Sequence, residues 1–206
     1  MIRPGLPAPP SEVRRHMIPA SVADLDRVIA AVRQQSDEVT ELFETATPES
    51  LTWRPSPTAW SVAGHVFHMV KVNGPYMAAA EACAERERAS GRRSDGPYRH
   101  GWLGPWFANS MRPPPKRRFK TLKAMVPDPQ TTGGEALKEF LAAQDVLVNT
   151  LEGVRGLDLG RARFSSPFMA ILRLSLGAGL AMLVLHNQRH IWLSREVMSL
   201  PEFPTG

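Results

Sequence analysis

Nineteen prolines in 206 residues constrain this chain more than any other feature, because they are clustered. Residues 4–10, 48–57, 97–129 and 201–204 hold most of them. Proline locks φ and carries no amide proton, so a helix interior accepts it only at a cost of ~3 kcal/mol. The clusters therefore mark connections, and regular structure belongs to the stretches between them.

Four of those stretches carry helical periodicity. The first runs from about residue 21 to 46, with Ser21-x-x-Asp24 as a cap and Leu25, Val28, Ile29, Val32, Val39, Leu42 and Phe43 on one face. The second starts at Ser61, carries Val62, Val66, Met69, Val72 and Tyr76, and reaches about residue 89, with an irregularity expected at Gly74-Pro75. The third opens on the capping box Thr132-x-x-Glu135. Leu137, Phe140, Leu141, Val146, Leu147 and Leu151 form its stripe, and Gly153 and Gly156 end it. The fourth runs from near Ser175 to about residue 200, with Leu176, Leu180, Leu183, Leu193 and Val197 expected inside. No stretch alternates with period two for long, so no substantial sheet is expected. The pattern predicts an all-α fold, a four-helix bundle with a long ordered loop between helices 2 and 3. Residues 21–206 read as a single domain, with a loop insertion at about 90–131, behind a Pro-rich N-terminal extension at 1–20.

Composition excludes several classes. One cysteine, Cys83, leaves no intrachain disulfide and no cysteine-based zinc site. The longest apolar run, residues 176–185, is half of the ~20 residues that cross a bilayer, so no membrane partner is expected and the chain reads as cytoplasmic. The net charge of +5 is concentrated in one place: between residues 86 and 123, eleven Lys/Arg stand against Glu87 and Asp95. That segment also holds Trp102, Trp106, Phe107 and Phe119, more aromatics than a disordered linker carries, which suggests an ordered excursion packed on the helices.

The chemistry should lie with histidine. Four of the six histidines fall in two helical windows: His65 and His68 behind Trp60-Ser61, and His186-x-x-x-His190 in the last segment. Residues four apart lie on one helix face, about 40° apart around the axis, so His186 and His190 can address one ion and the other helix can add a third imidazole. Three neutral nitrogens with an open position make a catalytic divalent-metal site. A pair of hydrogen-bonded core or surface histidines is the plainer alternative. Periodicity puts His65 nearer the centre of its stripe and His68 at its edge, and spacing does not decide which would be the ligand.

Trp60-Ser61-Val62 followed by His68-Met69, and then His186-x-x-x-His190-Ile191, resembles the DinB/YfiT-like superfamily, whose pattern is W-[ST]-x6-H-[LM] on the second helix and H-x3-H on the last. Trp53-Arg54-Pro55 and Arg112-Pro113-Pro114 are also similar to its larger members, and the likeness spans about residues 21 to 204. The resemblance implies a four-helix-bundle metalloprotein. Its metal ligands fall on His68, His186 and His190, and Ni, Zn or Fe are the candidate ions. Characterised relatives include thiol-dependent S-transferases and a maleylpyruvate isomerase.

A +2 ion held by three neutral imidazoles would take water, hydroxide or an anionic group, and would acidify a bound thiol or water. The expected function is a metal-dependent transferase or hydrolase, such as a thiol-dependent S-transferase, acting on a small-molecule substrate. An anionic thiol is a candidate cosubstrate. His65 is the nearest acid/base or hydrogen-bonding candidate for a catalytic role, and equally a candidate fourth ligand or buried structural histidine. Asn73, Asn187 and Arg189 are candidate orienting residues with plainer structural readings. Arg189 is expected on another face, Trp60 and Trp192 in packing near the site, and Cys83 as an inert buried thiol. A non-catalytic metal-binding or stress bundle is the alternative. Binding of nucleic acid or another anionic polymer through Lys116-Arg117-Arg118-Phe119-Lys120 has less support, because no nucleic-acid-binding fold accompanies the charge. A homodimer is compatible with the sequence.

Overall fold

The computed structural model describes residues 25–99, 101–115 and 121–204, so the expected cap at Ser21, the N-terminal extension, Phe119 and the basic run 116–120 lie outside it. Among the described residues the chain is mostly helical, with one small two-stranded sheet. Four long helices carry the fold: α1 (Leu25–Glu44), α3 (Val62–Ala89), α5 (Gly133–Gly153) and α6 (Leu176–Met198). A short helix α2 (Pro48–Thr52) follows α1, and α4 (Leu103–Ser110) and a 3-10 turn (Lys123–Met125) lie in the long connection. Strands β1 (Arg163–Ser166) and β2 (Met169–Ser175) form an antiparallel hairpin that runs straight into α6.

The helices start where the side chains can satisfy their free amides. Ser61 Oγ accepts from Gly64 N at 3.0 Å, Thr132 Oγ1 from Glu135 N at 3.2 Å, and Ser175 Oγ from Ala178 N at 3.4 Å. α3 continues through Pro75 without a break. Gly74 and Pro75 both lie exposed, where the carbonyl that loses its amide partner can face water.

α3 and α1 each pack on both α5 and α6. Residues 176–187 of α6 are buried on every side, because α4 and the hairpin cover the face that the long helices leave open. The approaches are close. A Cβ at Gly104 of α4 would stand 2.7 Å from Ala178 Cβ, and one at Gly179 would stand 2.7 Å from Phe164 Cε1 of β1, so glycine is required at both crossings. Leu193 and Val146, both expected in the core, depart from it: Leu193 is half-buried and Val146 is 50 % exposed. Trp102 and Trp106 also face outward, at 78 % and 59 % exposed, since the packing face of α4 is the one with Gly104 and Ala108. Among the described residues no helix is long and apolar enough to cross a membrane.

The interior divides into two apolar clusters. One gathers Val28, Ile29 and Val32 of α1 with Val72 to Ala84 positions of α3, Leu147 and Leu151 of α5, and the first half of α6. The other gathers Val39 and Phe43, Val62, Val66 and Met69, Ala136 and Phe140, and Ile191 and Val197. Between them every long helix contributes a buried polar side chain: Gln35, His68, Gln144, and the set His186, Asn187 and His190. The molecule therefore has a polar belt at mid-height.

Candidate metal centre

Half of the belt is a chain of amides. Gln35 Nε2 donates to the Val184 carbonyl at 2.8 Å, Gln144 Nε2 to the Val32 carbonyl at 3.0 Å, and Asn187 Nδ2 to Gln144 Oε1 at 3.0 Å. These bonds tie α1 and α5 to the residue beside His186. Gln35 and Gln144 were not singled out in the sequence. The available signal was a gap in each apolar stripe, since Gln35 fills the slot between Val32 and Val39 and Gln144 the slot between Phe140 and Leu147. Gln144→Leu is expected to lower stability by about 1–3 kcal/mol, because it strands the buried Asn187 amide. Urea unfolding followed by circular dichroism would check this, and an unchanged midpoint would show that the amide chain carries no net stability.

The other half is histidine. His68, His186 and His190 are buried, and one ring nitrogen from each lies within 4.8 Å of the others. Three buried histidines this close together could hold a metal ion. His68 Nδ1 stands 2.7 Å from the Met125 carbonyl, an atom that can only accept, so Nδ1 carries the proton and Nε2 presents its lone pair. That Nε2 faces His186 Nε2 at 3.3 Å. Two nitrogens bound about 2.1 Å from one tetrahedral ion stand about 3.4 Å apart, so the pair already has the separation of two ligands. His190 Nδ1 lies 3.1 Å from His65 Nδ1, which leaves Nε2 as the nitrogen of His190 available to an ion. His186 Nδ1 is buried and makes no close hydrogen bond among the described residues, with the Asn187 side chain as its polar neighbour. The donor set fits a borderline divalent ion such as Zn, Ni or Fe(II).

Electrostatics keeps these rings neutral. Burial is the largest cause in every case. His68 is pushed down to about 4, with Lys71 and Arg189 adding to the effect and the Met125 hydrogen bond opposing it. His65 is pushed down to about 3 by burial and by His68. His186 and His190 lie well below the usual imidazole value, through burial, their neighbouring histidines and Arg189. Neutral imidazole is the ligand form, so at neutral pH an ion has few protons to displace.

The placement corrects the reading from periodicity. His68 is the buried member of its pair at 4 % exposed, while His65 is only partly buried. A stripe on one helix does not show that the edge at His68 is roofed by the 3-10 turn and faced by α6. Arg189, expected to project elsewhere, is buried, and its charge acts on His68, His186 and His190. Trp60 lines the site as expected, its ring centroid 4.7 Å from that of His68, 5.4 Å from His65 and 6.1 Å from His190. Trp192 is half-buried. Asn73 is fully buried, with neither amide atom bonded among the described residues. Cys83 is buried too, and burial raises its pKa, the opposite of what a nucleophilic thiol needs. In the basic segment that begins at the end of α3, Arg88 pairs with Glu81 and Arg92 with Glu87 at 2.9 and 2.8 Å, so part of the positive charge is already compensated.

A mostly helical chain with three histidines converging from two of its long helices is the class that fold and site define. The DinB superfamily model matches residues 30–194, and the chain belongs to that superfamily. No curated protein matches the chain. No solved structure matches it either.

Proposed function

We propose that this chain is a four-helix-bundle metalloenzyme of the DinB type, a single domain over residues 21–206 with an extension at 1–20, working in the cytoplasm. His68, His186 and His190 hold one divalent ion, and the reaction is a transfer or hydrolysis on a small molecule, with an anionic thiol as a candidate cosubstrate. The observation that carries this reading is the convergence of three neutral, buried imidazoles, one of them with its tautomer set by a backbone carbonyl.

A bound ion would supply Lewis acidity, lowering the pKa of a coordinated water or thiol toward neutrality. The chain's own residues supply the rest. The fixed charges acting on the histidines are positive, from Lys71 on His68 and from Arg189 on His68, His186 and His190, which favours an anionic group at the open position. Each of the three histidines is buried, with between 4 % and 8 % of its surface exposed. Half-buried His65 stands against His190 on one side of the cluster. For His190 to bind through Nε2, its Nδ1–H must donate to His65 Nδ1, which leaves His65 its Nε2–H. We assign His65 a catalytic hydrogen-bonding role through that Nε2–H, directed at substrate, while its Nδ1 orients His190. Trp60 walls the same side.

The test is turnover of thiol-transfer and ester or amide hydrolysis substrates by protein purified without a histidine tag, with Zn²⁺ or Ni²⁺ and with chelator. Metal-dependent turnover that falls in His65→Ala at unchanged metal content is expected. Metal loss in His65→Ala would make His65 a fourth ligand and the site a closed, structural one. Stoichiometric metal without turnover on any substrate would favour a non-catalytic bundle.

A further inference from the structure

We infer that the turn at residues 122–127 is a clasp coupled to the metal centre: it seats on one face of α3, fixes the ligand form of His68, and is itself tightened when an ion binds. This rests on the metal reading above and extends it to the long connection.

Three contacts seat the turn, and all fall on one helix face. Gly64, His68 and Lys71 follow one another at spacings of four and three along α3. A Cβ at Gly64 would meet Pro127 Cγ at 3.7 Å, which places buried Pro127 directly over that glycine. His68 Nδ1–H donates to the Met125 carbonyl at 2.7 Å. Lys71 Nζ donates to the next carbonyl, Val126, at 2.8 Å. Two consecutive carbonyls of one turn are thus held by two side chains one helical turn apart. Within the turn the backbone bonds run from Met125 N to Leu122 O at 2.9 Å and from Val126 N to Lys123 O at 3.2 Å, and the Met125 side chain packs against the first apolar cluster.

The coupling follows from where the proton sits. With Nδ1–H committed to Met125, His68 offers its lone pair at Nε2 toward His186, and a carbonyl on the far nitrogen raises the basicity of that lone pair. Without the carbonyl the ring can rotate or carry its proton on Nε2, and either loses a ligand. An ion on Nε2 in turn makes Nδ1–H a stronger donor and tightens its grip on the turn. Linkage requires the two effects to be equal in size. Lys71 has two opposed influences, since it holds the turn but also repels a cation, so the deciding substitution is a neutral one in the turn itself.

The experiment pairs hydrogen exchange with zinc affinity in the full chain. In the unaltered protein, Zn²⁺ is expected to slow exchange at the Met125 and Val126 amides by about fivefold or more, and Pro127→Gly should weaken Zn²⁺ by a similar factor. Circular dichroism of metal-free Pro127→Gly should show its helix content unchanged. Zn²⁺ bound equally well by Pro127→Gly, with exchange at those amides unaltered by metal in the parent, would overturn the clasp and leave the metal centre standing. No Zn²⁺ bound by the unaltered protein would overturn both.

Discussion

His186→Ala is expected to purify with almost no bound metal, while the unaltered protein, made without a histidine tag, carries about one divalent ion per chain. The expectation follows from the place of His186 in the cluster. It is buried between His68 and His190, with ring centroids 5.2 and 4.5 Å away, and its Nε2 faces that of His68. Removing one of three ligands leaves two, and a borderline ion then exchanges readily into solvent. The fold should survive, because the amide chain through Gln35, Gln144 and Asn187 holds the belt without the imidazole. Elemental mass spectrometry of the two proteins, with circular dichroism as the control for folding, decides the matter. Equal metal content in both would remove His186 from the ligand set.

The second large effect is on acid stability. The metal-free protein should lose stability as pH falls from about 6.5 toward 4, before most carboxylates titrate. The sign follows from proton uptake. In the unfolded chain the four histidines protonate near 6.5, whereas in the fold His68 does so only at about 4 and His65 at about 3. Between those values the unfolded state binds more protons, so acid favours it. The stabilisation is complete above 6.5 and is withdrawn as pH drops through the folded values. For His68 alone the shift corresponds to on the order of 3 kcal/mol. Denaturation midpoints in chelator at pH 7.5, 6 and 5 would register it as a steady decline. A flat profile down to pH 5 would mean that the histidines protonate in the fold without penalty, and so are not enclosed as described.

Glu87 responds in the same direction but lower on the pH scale. The hydrogen bond from Arg92 holds its carboxyl below the usual value, so its contribution is present above about 4.5 and fades beneath it. The two ranges separate the histidine belt from the Arg92–Glu87 ion pair.

Most of the helical framework was legible in the chain. Proline clusters and capping serines and threonines set the ends of the long helices to within a few residues, because caps and breakers act through the backbone next to them. The likeness of Trp60-Ser61, His68-Met69 and His186-x-x-x-His190 also placed the chain in its superfamily before any contact was seen. The hairpin before α6 was not visible. Arg163–Ser166 and Met169–Ser175 are short, and Met169 and Ile171 expose apolar side chains that spoil the inward and outward alternation.

The sequence by itself determined which residue types could carry chemistry and on which helices they ride, because spacing along a helix is a local property. Only the tertiary structure decided their depth and their partners. His68 lies deeper than His65 because a turn more than fifty residues away lays a carbonyl on its Nδ1 and α6 closes the other side. Gln35 and Gln144, ordinary surface residues by composition, are interior because Gln35 bonds to the Val184 carbonyl of α6, and Gln144 to the Val32 carbonyl of α1 and to Asn187. Burial and hydrogen-bond partnership are properties of what packs against a side chain, and no periodicity within one segment contains that information.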